Sequence, residues 1–142
     1  MRAALALIVV AGVAAGCGGG TKATSTVTST TRPHRAAFRL ALAAPTHTPR
    51  VGKEKWWYVV RATAAGKPAR GRLTVEVVDP LGTAHLAEVG TSTRKLHNYP
   101  FSGRYRDFAQ WPPASRGYRL TFRVIVQARG ASRAVDYWVR PR

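Results

Sequence analysis

From Tyr118 to Ala128 every second residue is apolar: Tyr118, Leu120, Phe122, Val124 and Val126 alternate with Arg119, Thr121, Arg123 and Gln127. A period of two sets one series on one face of an extended strand, whereas on a helix the same residues would be spread around the whole circumference. The segment therefore reads as a strand, central to a sheet. The pattern recurs in Phe38, Leu40 and Leu42, and in Trp56, Tyr58, Val60 and Ala62 with Trp57, Val59 and Arg61 on the opposite parity. It recurs again in Leu73, Val75 and Val77 within Arg70 to Asp79, and in Val135, Tyr137 and Val139 against Asp136 and Trp138 within Ala131 to Arg140. No stretch after residue 20 carries a helical period.

Turn chemistry separates these runs. Ala64-Ala65-Gly66-Lys67-Pro68 breaks one strand, and Arg129-Gly130 makes a hairpin. Asp79-Pro80-Leu81-Gly82 has Asp first, Pro second and Gly last, which predicts a type I turn into a strand near Thr83 to Val89. About seven short strands spaced by turns predict an all-β fold, a two-sheet antiparallel sandwich over residues 37–142. A domain of this size buries a sufficient core without a disulfide, and Cys17 is the sole cysteine of the chain.

The first residues have another character. Arg2 precedes an uncharged apolar run, Ala3 to Val13, followed by small residues, as in a secretion signal. The run falls short of the about 20 residues a membrane-spanning helix requires. Val13-Ala14-Ala15-Gly16-Cys17 resembles a bacterial lipobox, with Ala14 where Leu is commonest. The resemblance implies a lipoprotein signal peptide over residues 1–16 and a diacylglycerol on the Cys17 thiol. It also implies a mature protein held by its lipid on the extracytoplasmic face of a cytoplasmic membrane, or on an outer-membrane leaflet. Two acyl chains suffice for stable retention where one exchanges. Residues 17–36 then form a Gly/Thr/Ser-rich tether with Lys22, Arg32 and Arg35, too poor in apolar residues to fold alone.

Beyond the tether, three segments are similar to those of the immunoglobulin-like modules of bacterial surface proteins. They are Pro49-Arg50-Val51-Gly52-Lys53 before an aromatic strand, Gly66-Lys67-Pro68 in the next turn, and Asp79-Pro80-Leu81-Gly82. Such modules are adhesive, spacer or ligand-binding units, so the resemblance implies no catalytic residue.

Charge narrows the partners. The chain has 23 Lys and Arg against 6 Asp and Glu, a formal net charge of +17, which favours anionic surfaces. Arg outnumbers Lys 18 to 5 and Ala and Gly are abundant, so compositional bias is an alternative source of the charge. The candidate polyanion-binding residues fall in two groups. Arg72, Arg119 and Arg123 have the parity to face outward from neighbouring strands. Arg94, Lys95, Tyr99, Arg104 and Arg106 lie in an Arg- and aromatic-rich stretch ending at Trp111, interrupted by Pro100, Gly103, Pro112 and Pro113. There, either Tyr99, Phe101, Tyr105, Phe108 and Trp111 complete the core with the arginines on its wet side, or cations and rings together form a recognition loop extending the basic surface.

Catalysis finds no support in the pattern. The acids stand singly beside turns or on alternating faces, and Ser102, Ser115 and Ser132 lie in no nucleophile-elbow context. His34, His47, His85 and His97 include no close pair, and the domain has no ligating Cys or Met. The expectation is a monomeric, non-catalytic binding or structural module with no cofactor and no metal site. Its expected partners are anionic lipids, cell-wall polymers or an acidic protein. Nucleic-acid binding and a periplasmic metal-binding role are the alternatives.

Overall fold

The computed structural model describes residues 38–142; the expected signal peptide, the expected lipidation at Cys17, the expected tether and His34 lie outside the described residues. The strands are β1 (Phe38–Ala43), β2 (Trp56–Ala64), β3 (Lys67–Pro68), β4 (Arg70–Val78), β5 (Ala84–Leu86), β6 (Glu88–Val89), β7 (Arg94–Lys95), β8 (Tyr99–Ser102), β9 (Arg104–Ala109), β10 (Leu120–Ala128) and β11 (Ala131–Val139); β3 forms inside the expected break, and β7, β8 and β9 form in the stretch from Arg94 to Trp111, where no strand is expected. Four of the eleven are only two or three residues long, leaving seven of the length expected.

One sheet has the order β1-β2-β9-β6-β7, with β3 also on β2; the other has β11-β10-β4-β5, with β8 also on β4. Strand pairing is antiparallel throughout both sheets. First, second and penultimate-block strands in one sheet, with the last hairpin and the third long strand in the other, is the immunoglobulin-like arrangement. The β1–β2 connection strengthens it. His47 and Pro49 carbonyls accept the Arg140 and Arg142 amides at 2.7 and 2.9 Å, and the Val51 amide donates to the Arg142 carbonyl at 3.0 Å. Residues 47–51 thus leave the first sheet and run beside the end of the second.

Parity decides the core. Tyr58, Val60, Ala62, Leu73, Val75, Phe122, Val124, Val126 and Val139 are fully buried, each large apolar side chain contributing about 1.5–3 kcal/mol. Trp56 sits among them, its ring 5.0 Å from Phe122 and 5.5 Å from Trp111, edge-on to both. Its indole N–H donates to the Thr46 carbonyl at 2.9 Å. Both expected turns form. Gly82 N–H donates to the Asp79 carbonyl at 3.0 Å, and Asp79 Oδ1 accepts the Leu81 and Thr83 amides, each at 2.9 Å. Arg129 and Gly130 both have positive φ, 53° and 73°, the geometry of a two-residue type I′ hairpin.

Two expectations change. The strand expected near Thr83 to Val89 is two strands in different sheets: Leu86 pairs with Glu76, whereas Val89 pairs with Ala109. The chain crosses at Ala87, whose amide still donates to Val75 at 2.9 Å. Small and buried, Ala87 lets the chain turn inward so that Val89 enters the core. Tyr118, expected on the inner face of the longest strand, is 59% exposed outside it. Gly117 at φ 81°, its amide on the Pro141 carbonyl at 2.8 Å, keeps the chain in a turn until Leu120.

Candidate anion-binding face

The pairing of β2 with β9 sets Trp57 opposite Phe108, Val59 opposite Arg106 and Arg61 opposite Arg104. On the other side β1 sets Arg39 opposite Thr63 and Ala41 opposite Arg61. Residues directly opposite share a face, and Trp56, Tyr58, Val60 and Ala62 fill the inner one. Arg39, Trp57, Arg61, Arg104 and Arg106 therefore stand together on the solvent side, all exposed. Like charges directly opposite cost about 0.2–1 kcal/mol, so the Arg61–Arg104 pair opposes folding locally.

No acid relieves it. All six carboxylate residues lie within the described residues, and Glu54, Asp79, Glu88, Asp107 and Asp136 pair with Arg50, His85, Lys95, Arg94 and Arg123 respectively. The sixth, Glu76, opposes Arg123 on the other sheet. Arg39, Arg61, Arg104 and Arg106 form no ion pair among the described residues. At one end of the face the Arg106 guanidinium lies 4.5 Å above the Trp57 ring, and Phe108 meets Trp57 edge-on at 5.1 Å. Trp57 remains 39% exposed.

Of the expected anion-binding residues, only Arg104 and Arg106 belong to this face. Arg72 and Arg123 do face outward, but from the opposite sheet. Arg72 donates to the Asn98 carbonyl at 3.0 Å. Arg123 holds both oxygens of Asp136 at 2.8 and 2.9 Å, and that bond draws the Asp136 carboxyl below its usual range. Arg119 stacks 5.3 Å over Trp138, which stacks on His47, itself stacked on Tyr137. Lys95 pairs with Glu88 at 3.9 Å.

Arg94 is exposed but paired with the buried Asp107, against the expectation of a free loop cation. Asp107, 8% exposed, accepts the Tyr105 hydroxyl at 2.7 Å and Arg94 Nη2 at 3.3 Å on Oδ2, and the Phe108 amide at 2.9 Å on Oδ1. Arg94 Nη2 also donates to the Tyr105 oxygen at 2.8 Å and covers the half-buried Tyr99 ring at 5.0 Å. A carboxylate taken out of water demands such donors. Burial first, then the Asp107 bond, raises the Tyr105 pKa. Beside it the buried Tyr58 hydroxyl has no hydrogen-bond partner among the described residues. The inner side of the stretch from Arg94 to Trp111 is thus core and network, and Arg104 and Arg106 are its cations without an ion pair among the described residues.

Sequence reasoning missed Arg39, Trp57 and Arg61 as site residues. The shared parity of Trp57 and Arg61 was the available signal; their juxtaposition with Arg104 and Arg106 exists only once β2 pairs with β9. The described histidines are engaged locally: His47 Nδ1 lies 2.7 Å from the Trp138 carbonyl, His85 Nε2 3.4 Å from Asp79, and His97 Nε2 3.1 Å from Asn98. A separate cleft of about 440 Å³ opens where the chain changes sheets; it is mostly apolar, and its charged lining groups, Glu88 and Lys95, pair with each other.

No family model and no curated protein matches the chain. A solved structure, that of a DUF4466 family protein from Parabacteroides merdae ATCC 43184, is similar at a TM-score of 0.42 and 12% identity, over 75% of this chain and 44% of that one. The chain thus spans less than half the length of that protein.

Proposed function

We propose that the chain is a lipid-anchored envelope protein whose β-sandwich is a non-catalytic module for binding anionic polymers. The observation that carries the reading is the arginine face of β1, β2 and β9, where Arg61 and Arg104 oppose each other without an acid. A fold tolerates such a pair at a cost in stability, and an anion between the two guanidinium groups converts repulsion into charge-assisted hydrogen bonds. The structural engagement of the acids supports the non-catalytic reading: Asp79 caps its own turn, Asp107 sits in the inward network and Asp136 holds Arg123. The anchor is supported by the sequence from Val13 to Cys17.

Intact-mass spectrometry of membrane-extracted protein tests the anchor, with cleavage before Cys17 and an added diacylglyceryl group expected. A soluble, unlipidated mature form contradicts it. Binding of inorganic polyphosphate at about 150 mM salt, where charges more than about 8 Å apart are screened, tests the face. Weaker binding is expected in Arg61→Gln and Arg104→Gln, and unchanged binding in both contradicts the reading.

A further inference from the structure

The arginines of this face form a track rather than a random scatter. Arg39 lies diagonal to Arg61, since it opposes Thr63 two residues along β2, a separation of about 7–8 Å. Arg61 to Arg104 is a direct cross-strand step of about 5 Å. Arg104 to Arg106 is two residues along β9, about 7 Å. Arg106 then contacts Trp57 at 4.5 Å. The arc crosses three strands and ends on a partly open indole plate.

Each part selects a chemistry. Consecutive cations at short, similar intervals match a chain bearing one anion per repeat. Arginine, with its planar fork of donors, grips phosphate through two parallel bonds where lysine offers a point charge. The indole plate accepts the apolar C–H face of a sugar ring. Non-specific single-strand nucleic-acid binders stack successive bases on several aromatic side chains in a basic groove. Here, among the described residues, Trp57 is the one exposed aromatic ring on this sheet, the other exposed aromatic residues being Tyr118 outside the strands and Trp138 on the opposite sheet.

We infer that the face binds a phosphodiester-linked polymer carrying sugar substituents, with successive phosphates on Arg39, Arg61 and Arg104 and a sugar ring on Trp57 beside Arg106. The inference rests on the proposed polyanion-binding role of the same face and adds the ligand class to it.

The test uses the full-length protein in zwitterionic detergent at about 150 mM salt. Three probes are titrated: a glycerol-phosphate polymer carrying glucosyl groups, the same polymer stripped of its sugars, and poly(dT) of matched phosphate number. The glycosylated polymer should bind about ten-fold tighter than the stripped one, within the range a single stacking contact supplies. Trp57→Leu should abolish that preference, bringing the ratio of the affinities for the glycosylated and stripped polymers to about one. Trp57→Phe should retain part of the preference. Equal binding with and without sugars, a preference surviving in Trp57→Leu, or tightest binding to poly(dT) overturns the sugar assignment. The broader polyanion reading stands in those cases so long as Arg61→Gln and Arg104→Gln still weaken all probes, and it falls with the inference if they weaken none.

Discussion

Arg61 on β2 and Arg104 on β9 stand directly opposite each other on the solvent side of the sandwich, while Asp107, three residues beyond Arg104, is turned to the inner side and spent on Arg94 and Tyr105. The one carboxylate on β9 is therefore on the wrong face to neutralise the pair. Fold and charge distribution are coupled through strand parity: the same alternation that puts Tyr58 and Val60 in the core fixes the arginine face and excludes the acid from it.

The inward network and its neighbour predict opposite outcomes for two similar substitutions. Tyr105→Phe removes a donor from the buried Asp107 carboxylate and should destabilise by about 1–3 kcal/mol. Tyr58→Phe removes a buried hydroxyl that has no partner among the described residues and should be neutral or stabilising by up to about 1 kcal/mol. Urea denaturation of the two variants checks the contrast, and equal losses would contradict the assignment of the network.

Asp136 predicts a pH dependence. Its pKa is lowered, chiefly by the bidentate bond to Arg123, so the folded state binds its proton less readily than the unfolded state does. The stability it contributes is present above the unfolded value, about pH 4, and is lost as pH falls through the lower folded value. Asp136→Asn should cost little at pH 7, about 0.2–1 kcal/mol for an exposed pair, and should lose less stability than wild type between pH 5 and pH 2. Denaturation curves at these pH values measure the difference. Asp79, also lowered, first by the Thr83 amide, should keep its own share of the acid loss in that variant.

Salt should separate free from neutralised arginines. Binding of a single-stranded polyanion by Arg39, Arg61 and Arg104 predicts a log–log salt slope of about −2. Removing a charge in Arg61→Gln should make the slope shallower by about 0.7. Arg123→Gln should leave it unchanged, because Arg123 already holds Asp136. A slope that responds equally to both substitutions would contradict a localised face.

Periodicity made the inner faces of β1, β2, β4, β10 and β11 legible in advance, down to Trp56, Tyr58, Val60 and Ala62 on one side of β2 and Trp57 and Arg61 on the other. A period of two reports which side a residue faces and carries no information about which strand lies beside it. The pairing of β2 with β9 joins residues about forty positions apart, so the meeting of Arg61 with Arg104 was hidden, and Arg72 and Arg123 were grouped with arginines that the fold places on the opposite sheet. The sheet change at Ala87 was hidden for the same reason, since a strand that switches partners keeps its local alternation. Tyr118 was misplaced because its parity continued the strand while Gly117 at positive φ ended it.

On the proposed reading, the Arg61–Arg104 juxtaposition serves binding at the expense of the fold. That reading is tested most directly by measuring melting temperature and polyphosphate affinity together in the Arg61→Gln/Arg104→Gln double variant. Relief of like-charge repulsion, worth about 0.2–1 kcal/mol, should raise the melting temperature by a few degrees at most, while affinity at about 150 mM salt should fall at least ten-fold with the loss of two charge-assisted contacts. A variant that melts lower and binds polyphosphate as tightly as wild type would contradict the account.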